Sequence, residues 1–370
     1  MRNGVAASLP VHGGQVHAIA ARFNLPAAKL LDFSASIVPD GPSPRVALAI
    51  ANSLGNREEL RTYPDLDSQA LRLTLGSYAN VPESNILVGN GTVPLLSATL
   101  RAMGAQRCML PVPAFGEYRR SLEREGVAVE PWPLSEVAGF QPDLERLIDC
   151  CAEGECDALL LTNPHNPTGT VLRAEELSAT VQRAQRCGIR ILLDEAFIDF
   201  VPQESISAHV PELSNLVAFR SITKFFAMAG LRIAYMIAPK HLVAGVRELL
   251  APWPISSLAA VGAIAAMEDK AWVADTLARN RRERENLATQ LATLGLTVYP
   301  AGANFLFLRL GDDQTNRNVW ERLILDHGIV VRNCATFETL DQTYFRVAVL
   351  GSDDNQRLIR ALESVLNGRD

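Results

Sequence analysis

A lysine set among aromatic side chains is the first place where this sequence could do chemistry. Residues 219–226 read FRSITKFF, so Lys224 follows a Ser-x-Thr triplet and precedes Phe225 and Phe226. An amine held among apolar groups gives up its proton more readily than one in water, and the free amine is a nucleophile toward aldehydes. Upstream, IRILLDEAFIDF closes an apolar run on Asp194 and Glu195. A buried aspartate is costly unless a cation or several donors satisfy it. A third segment, LLLTNPHNPTG, closes another apolar run on a polar turn that contains Asn163, Asn166 and Gly169.

A heteroaromatic aldehyde with a basic ring nitrogen would answer both demands. Lys224 would bond its aldehyde carbon as a Schiff base, and Asp194 would hold the ring nitrogen as a cation. Pyridoxal 5'-phosphate is such a molecule, and its protonated ring is an electron sink for carbanion chemistry. Its phosphate needs an anion site, and VGNGTVPLLSATL offers one. Gly89 and Gly91 permit a tight strand-to-helix turn, after which a helix would direct free N–H groups and its positive end at the phosphate. Ser221 and Arg232 lie on either side of Lys224 and could complete the cradle.

These residues need a scaffold that brings strand ends together. NILVG, RCMLPV, DALLLTN, IRILLDEA and LVAFRS have the unbroken hydrophobicity of strands covered on both faces. Helical stretches such as PLLSATLRAMG and RAEELSATVQRAQRCG lie between them, the second closed by a glycine. Strand–helix alternation predicts an α/β fold with right-handed crossovers and a mostly parallel sheet. Ligands of such sheets collect beyond the carboxyl ends of the strands, where the motifs fall. After about residue 250 a long helical region, roughly 256–295, leads to clustered strands and helices, which predicts a smaller α+β domain. The expected division is an N-terminal segment 1–45, a large domain 46–250 and a small C-terminal domain 251–370.

Composition narrows the function classes. The 370 residues are 48% hydrophobic and 21% charged, an ordinary globular balance. The formal net charge of −6 argues against a nucleic-acid partner, and the densest basic stretch, ARNRRERENLATQL, alternates its signs as a solvated helix face does. No apolar run reaches the roughly 18–20 residues that cross a bilayer. The opening MRNGVAASLPVHGG lacks the apolar stretch of a secretory signal. Cys150, Cys151 and Cys156 match no zinc spacing, so no metal is expected and the cysteines read as reduced. A cytoplasmic enzyme is the expectation.

Taken together, NPHNPTG, DEAFIDF, SITKFF and GLRIAY resemble fold-type I pyridoxal-phosphate enzymes of the class I/II aminotransferase group. The resemblance runs from about residue 12 to about residue 360. It implies a large domain with a mainly parallel seven-stranded sheet, a small domain that takes in the N-terminal segment, and a homodimer with shared active sites. Within the group the sequence is similar to the threonine-phosphate decarboxylases of cobalamin biosynthesis, near relatives of the histidinol-phosphate aminotransferases. Three features favour the decarboxylases: the HGG opening at His12–Gly14 with LDFSASIVPDGPS, the GIVVRNCATFETLDQTYFRVAV segment, and Phe197 in DEAFIDF, where the aminotransferases usually carry a tyrosine.

The resemblance also implies roles. Lys224 would be the Schiff-base lysine, Asp194 the ring-nitrogen partner, Asn166 the donor to the cofactor's 3-oxygen and Phe115 the ring stacked on the pyridine. Gly91, Thr92, Ser221 and Arg232 would bind the phosphate, which Tyr63 would reach from the neighbouring subunit. Arg346 would take a substrate α-carboxylate, Arg332 a substrate phosphate, and His12 would assist at the substrate. The sequence departs from the pattern at Val93-Pro94, at Ala229 where a proline usually precedes Gly230, and at Ser256-Ser257 where the group usually has an asparagine. The expected activity is decarboxylation of a phosphorylated amino acid, O-phospho-L-threonine or O-phospho-L-serine. The alternative is a histidinol-phosphate-type transamination with 2-oxoglutarate.

Overall fold

The computed structural model describes residues 10–311 and 316–368, with backbone alone for 316–318; residues 1–9 of the opening stretch, expected to carry no secretory signal, lie outside them. Two compact units divide the chain. The larger takes residues 37–166 and 170–278; the smaller takes, so far as they are described, residues 1–36, 167–169 and 279–370.

The larger unit is built on seven strands: β1 (Ile86–Gly89), β2 (Arg107–Val112), β3 (Ala128–Pro133), β4 (Ala158–Thr162), β5 (Arg190–Asp194), β6 (Leu216–Ser221) and β7 (Ala234–Ile237). Their order across the sheet is β1-β7-β6-β5-β4-β2-β3. The β1–β7 and β7–β6 pairs are antiparallel and the others parallel. Every residue of β4 and β6 is buried, as the unbroken apolar runs require of strands covered on both faces. Leu95, Leu110, Leu122, Leu160, Leu192 and Phe219 are among the side chains of one core cluster packed on this sheet.

Two strands were not in the sequence reading. β3 reads AVEPWP and lies at the sheet edge, partly exposed. An edge strand tolerates Pro131 and Pro133 because a missing N–H there breaks no ladder on the open side. β7 is a short buried run, AYMI, and its antiparallel place between β1 and β6 comes from pairing rather than from pattern.

The helical region after residue 250 resolves into two helices, Ser257–Glu268 and Lys270–Thr293. Ser256 caps the first, its hydroxyl accepting from the Ala259 N–H at 3.2 Å, which gives that serine a local structural reason.

The smaller unit carries a four-stranded antiparallel sheet of β8 (Thr297–Tyr299), β9 (Phe305–Arg309), β10 (Arg332–Asn333) and β11 (Tyr344–Ala348), in the order β10-β11-β9-β8. Leu31–Asp32 pairs in parallel with Ile329–Val330, within the smaller unit, which takes the described N-terminal residues as far as Ser36, whereas residues 37–45 belong to the larger unit. Phe33, Leu306, Trp320, Leu323 and Leu358 lie in its core. Among the described residues no helix is long and apolar enough to cross a membrane.

Candidate active site

Three adjacent parallel strands end together in the larger unit. Thr162 of β4 stands opposite Asp194 of β5, which stands opposite Phe219 of β6, two residues before Ser221. The carboxyl ends therefore place Asp194, the Asn163–Asn166 turn and the Ser221–Lys224 segment side by side, as the strand-end rule expects. The turn is held by its own first residue: Asn163 Nδ2 donates to the Leu172 carbonyl at 3.0 Å, and the Leu172 N–H donates back to Asn163 Oδ1 at 2.9 Å. Asn166, at the far side of the turn, is half-buried.

Asp194 is buried, and both carboxylate oxygens have donors. Tyr118 Oη donates to Oδ2 at 2.7 Å, and the Ala196 N–H donates to Oδ1 at 2.8 Å. Burial pushes the Asp194 carboxyl above its usual range; the Tyr118 and Ala196 hydrogen bonds and the charge of Lys224 pull it back. Lys224 is half-buried, with Nζ 5.9 Å from the centre of the Phe197 ring. Phe115 immediately precedes a helix, α2 (Gly116–Arg124), and meets the Tyr118 ring edge-on at 5.4 Å; an earlier helix, α1, spans Thr92–Met103.

At the N-terminus of α1, Gly91 takes φ +85°, and a Cβ there would lie 2.8 Å from Arg232 Nη2. Glycine thus leaves open the space that the guanidinium overlooks. Arg232 itself is left-handed, with φ 58°, and donates to the Ala229 carbonyl at 3.3 Å. Pro94 falls in the first turn of α1, where its missing N–H removes no helical bond. Ser221 and Thr223 share a hydrogen bond of 2.7 Å between their hydroxyls. Tyr63 is 80% exposed and stacks on Trp253 with centroids 4.6 Å apart.

Behind this set lies a charge network absent from the sequence reading. Arg220, next to Ser221, pairs with Asp199 at 2.5 Å and stands 3.9 Å from Glu195. Tyr78 Oη donates to Asp199 at 3.0 Å, and the Ser205 hydroxyl donates to Glu195 at 2.8 Å. Burial opposes the Arg220 charge, but Asp199, Tyr235, Glu195 and Tyr78 outweigh it and hold the guanidinium protonated. The only sequence signal was a charged residue at the penultimate position of an apolar strand.

The two arginines expected at the substrate, Arg332 and Arg346, lie in the smaller unit. Arg332 of β10 and Arg346 of β11 are direct cross-strand partners. Arg346 is buried, donates to the Ser34 carbonyl at 3.0 Å, and lies over the Phe305 ring at 5.0 Å. Burial lowers its pKa to about 10, Cys334 and Asp32 work in the other direction, and the neighbouring Arg332 charge adds to the lowering. Arg332 donates to the carbonyls of Pro10 and Val11, both at 2.5 Å, to Asn333 O at 3.0 Å and to Thr336 Oγ1 at 2.6 Å. His12 is half-buried beside that segment, and Gly13 approaches Ser34 so closely that a Cβ would fall 2.0 Å from its carbonyl oxygen.

The profile of the family described as "Aminotransferase class I and II" matches residues 28–362. The chain belongs to that family. Its relatives include a threonine-phosphate decarboxylase from Salmonella typhimurium, 35% identical over 365 residues, which span 96% of this chain and 97% of that protein. A histidinol-phosphate aminotransferase from Symbiobacterium thermophilum is 32% identical over 89% of this chain and 88% of its own length. Among solved structures, the L-threonine-O-3-phosphate decarboxylase of Porphyromonas gingivalis superposes with a TM-score of 0.79 at 26% identity, over 90% of this chain and 99% of its own.

Membership makes this class I and II chain a pyridoxal-phosphate-dependent enzyme with the fold-type I architecture. Its residues fit the cofactor: a buried carboxylate with a lysine charge acting on it, and a glycine-opened helix N-terminus overlooked by an arginine.

Proposed function

We propose that the protein decarboxylates a phosphorylated amino acid, O-phospho-L-threonine or its close homologue O-phospho-L-serine, and releases the amine phosphate, as a step of cobalamin biosynthesis. The observation that carries the reading is the pair Arg332/Arg346, two buried or nearly buried cations directly opposite on neighbouring strands. Like charges in that position repel, and a ligand with two anionic groups relieves the repulsion. A phosphorylated α-amino acid has such groups. Phe197 supports the same reading, because an apolar ring lies by Lys224 where a histidinol-phosphate aminotransferase usually carries a tyrosine hydroxyl.

When bound, pyridoxal 5'-phosphate supplies an aldehyde carbon for an amine and a cationic ring that draws electrons from the substrate's α-carbon. Gly91, Thr92, Ser221, Arg232 and, from a second copy in a homodimer, Tyr63 would hold its phosphate. Phe115 would cover the ring, Asn166 would donate to its 3-oxygen, and Asp194 would receive its N–H. Lys224 would anchor the cofactor at its aldehyde carbon, and its amine would be the group that carries a proton to the substrate's α-carbon. Arg346 would hold the carboxylate by a planar two-point contact. Arg332 would take the phosphate, a dianion displacing the neutral carbonyls of Pro10 and Val11 as acceptors, with His12 alongside. No metal or nucleic acid enters this scheme, and it fits a cytoplasmic setting.

The test incubates the protein with O-phospho-L-threonine or O-phospho-L-serine, with and without 2-oxoglutarate, and follows carbon dioxide and amine phosphate against glutamate. Carbon dioxide without keto acid is the expected result. Glutamate formed only with 2-oxoglutarate would replace the reading by transamination, with histidinol phosphate the next substrate to try.

A further inference from the structure

Asp194 is not oriented by its own strand alone. α2 begins immediately after Phe115, so Tyr118 lies in its first turn and is buried. From there its hydroxyl reaches Asp194 Oδ2 at 2.7 Å and accepts a longer hydrogen bond from Thr162 Oγ1 at 3.3 Å. Its ring meets Phe115 edge-on, at 84° between planes. With the Ala196 N–H on Oδ1, each oxygen of the carboxylate has one fixed donor, one from the backbone two residues on and one from α2, 76 positions away.

We propose that Tyr118 is a positioning residue for the ring-nitrogen contact: its hydroxyl holds the Asp194 carboxylate in the orientation and charge state that receive the cofactor's ring N–H. The proposal rests on the assignment of Asp194 to that nitrogen. A phenol suits the task because it donates to the ionised form of its neighbour and brings no competing charge. Burial and the Asp194 charge push the Tyr118 hydroxyl well above its usual range, so it stays a donor wherever the enzyme works. Thr162 occupies the acceptor side of the phenol, which leaves its single proton for Asp194. The edge-on contact with Phe115 makes the same side chain a support for the ring expected against the cofactor's face. Thus one residue, on neither the strand that ends at Asp194 nor the segment that carries Lys224, braces two of the cofactor contacts.

The test compares the full-length wild type with Tyr118→Phe, a change that keeps the buried ring and removes one hydroxyl. Dissociation constants are measured for pyridoxal 5'-phosphate and for its carbocyclic analogue, in which a C–H replaces the ring nitrogen. Wild type should bind the nitrogen-containing cofactor more tightly. In Tyr118→Phe that preference should shrink by about tenfold, the order of one hydrogen bond to a charged group, with the analogue's constant unmoved. An unchanged preference, or an equal weakening of both cofactors, overturns the proposal by reducing Tyr118 to a packing residue. A wild type with no preference would instead remove the Asp194 assignment, and the proposal with it.

Discussion

The buried Arg220 network offers a quantitative test of how the strand ends are held. Arg220 and Asp199 approach to 2.5 Å with side chains 6% and 4% exposed, and Glu195, wholly buried, stands 3.9 Å away. Two carboxylates therefore share one guanidinium. Asp199→Asn removes one negative charge but leaves Glu195 to balance Arg220, so the cost should fall at the lower end of the range for breaking a buried pair, about 3 kcal/mol. Arg220→Met strands both carboxylates and should cost about 5 kcal/mol, the upper end. Burial already raises the Glu195 carboxyl, with Arg220 the foremost group pulling it back, so removing Arg220 raises it further. A carboxyl raised in the folded state loses stability as pH rises through the folded value, so the Arg220→Met defect should shrink on acidification toward pH ~5. The assay is equilibrium urea unfolding followed by tryptophan fluorescence; Trp132, Trp253 and Trp272 lie in the larger unit and Trp320 in the smaller. Equal losses in the two variants, or a loss below about 1 kcal/mol as for an exposed pair, would refute the charge count.

His165 is buried and held neutral, its pKa lowered by burial to about 4 from 6.5, with the Pro113 carbonyl opposing. The unfolded state then binds the extra proton, so stability is lost as pH falls from about 6.5 to about 4, by roughly 3 kcal/mol; His165→Asn should flatten that part of the urea-unfolding profile relative to wild type. Gly91→Ala forces a side chain into a glycine-only backbone region and toward Arg232, and should weaken retention of pyridoxal 5'-phosphate by roughly tenfold or more, read as loss of the cofactor's visible absorption on dialysis. Arg346→Ala should lower kcat/KM for O-phospho-L-threonine by about 10²–10³, the loss of a charged two-point contact, with cofactor retention unchanged; loss of the cofactor instead would assign Arg346 to the fold.

Local chemistry determined much of the large unit. The unbroken runs ending at Thr162, Asp194 and Ser221 were readable as buried strands because parallel strands covered on both faces admit almost only apolar residues. Gly91 was readable because a helix N-terminus after a tight turn requires a backbone that other residues resist. The Ser256 departure was not readable as a cap, since the helix it starts had merged with its successor in the pattern.

What tertiary structure alone decided are the relations between segments distant along the chain. Edge strand β3 hid behind its prolines, and β7 drew its antiparallel direction from neighbours. The Tyr118 hydroxyl meets Asp194 across 76 positions, Arg220 meets Asp199 across 21, and Arg332 meets Arg346 as a cross-strand pair. Side-chain type announces that a buried polar group needs a partner; which partner it finds is fixed by strand order and register. Lys224 and Asp194 could be singled out as candidates from residue chemistry, whereas the groups that hold Asp194 in place belong to the fold.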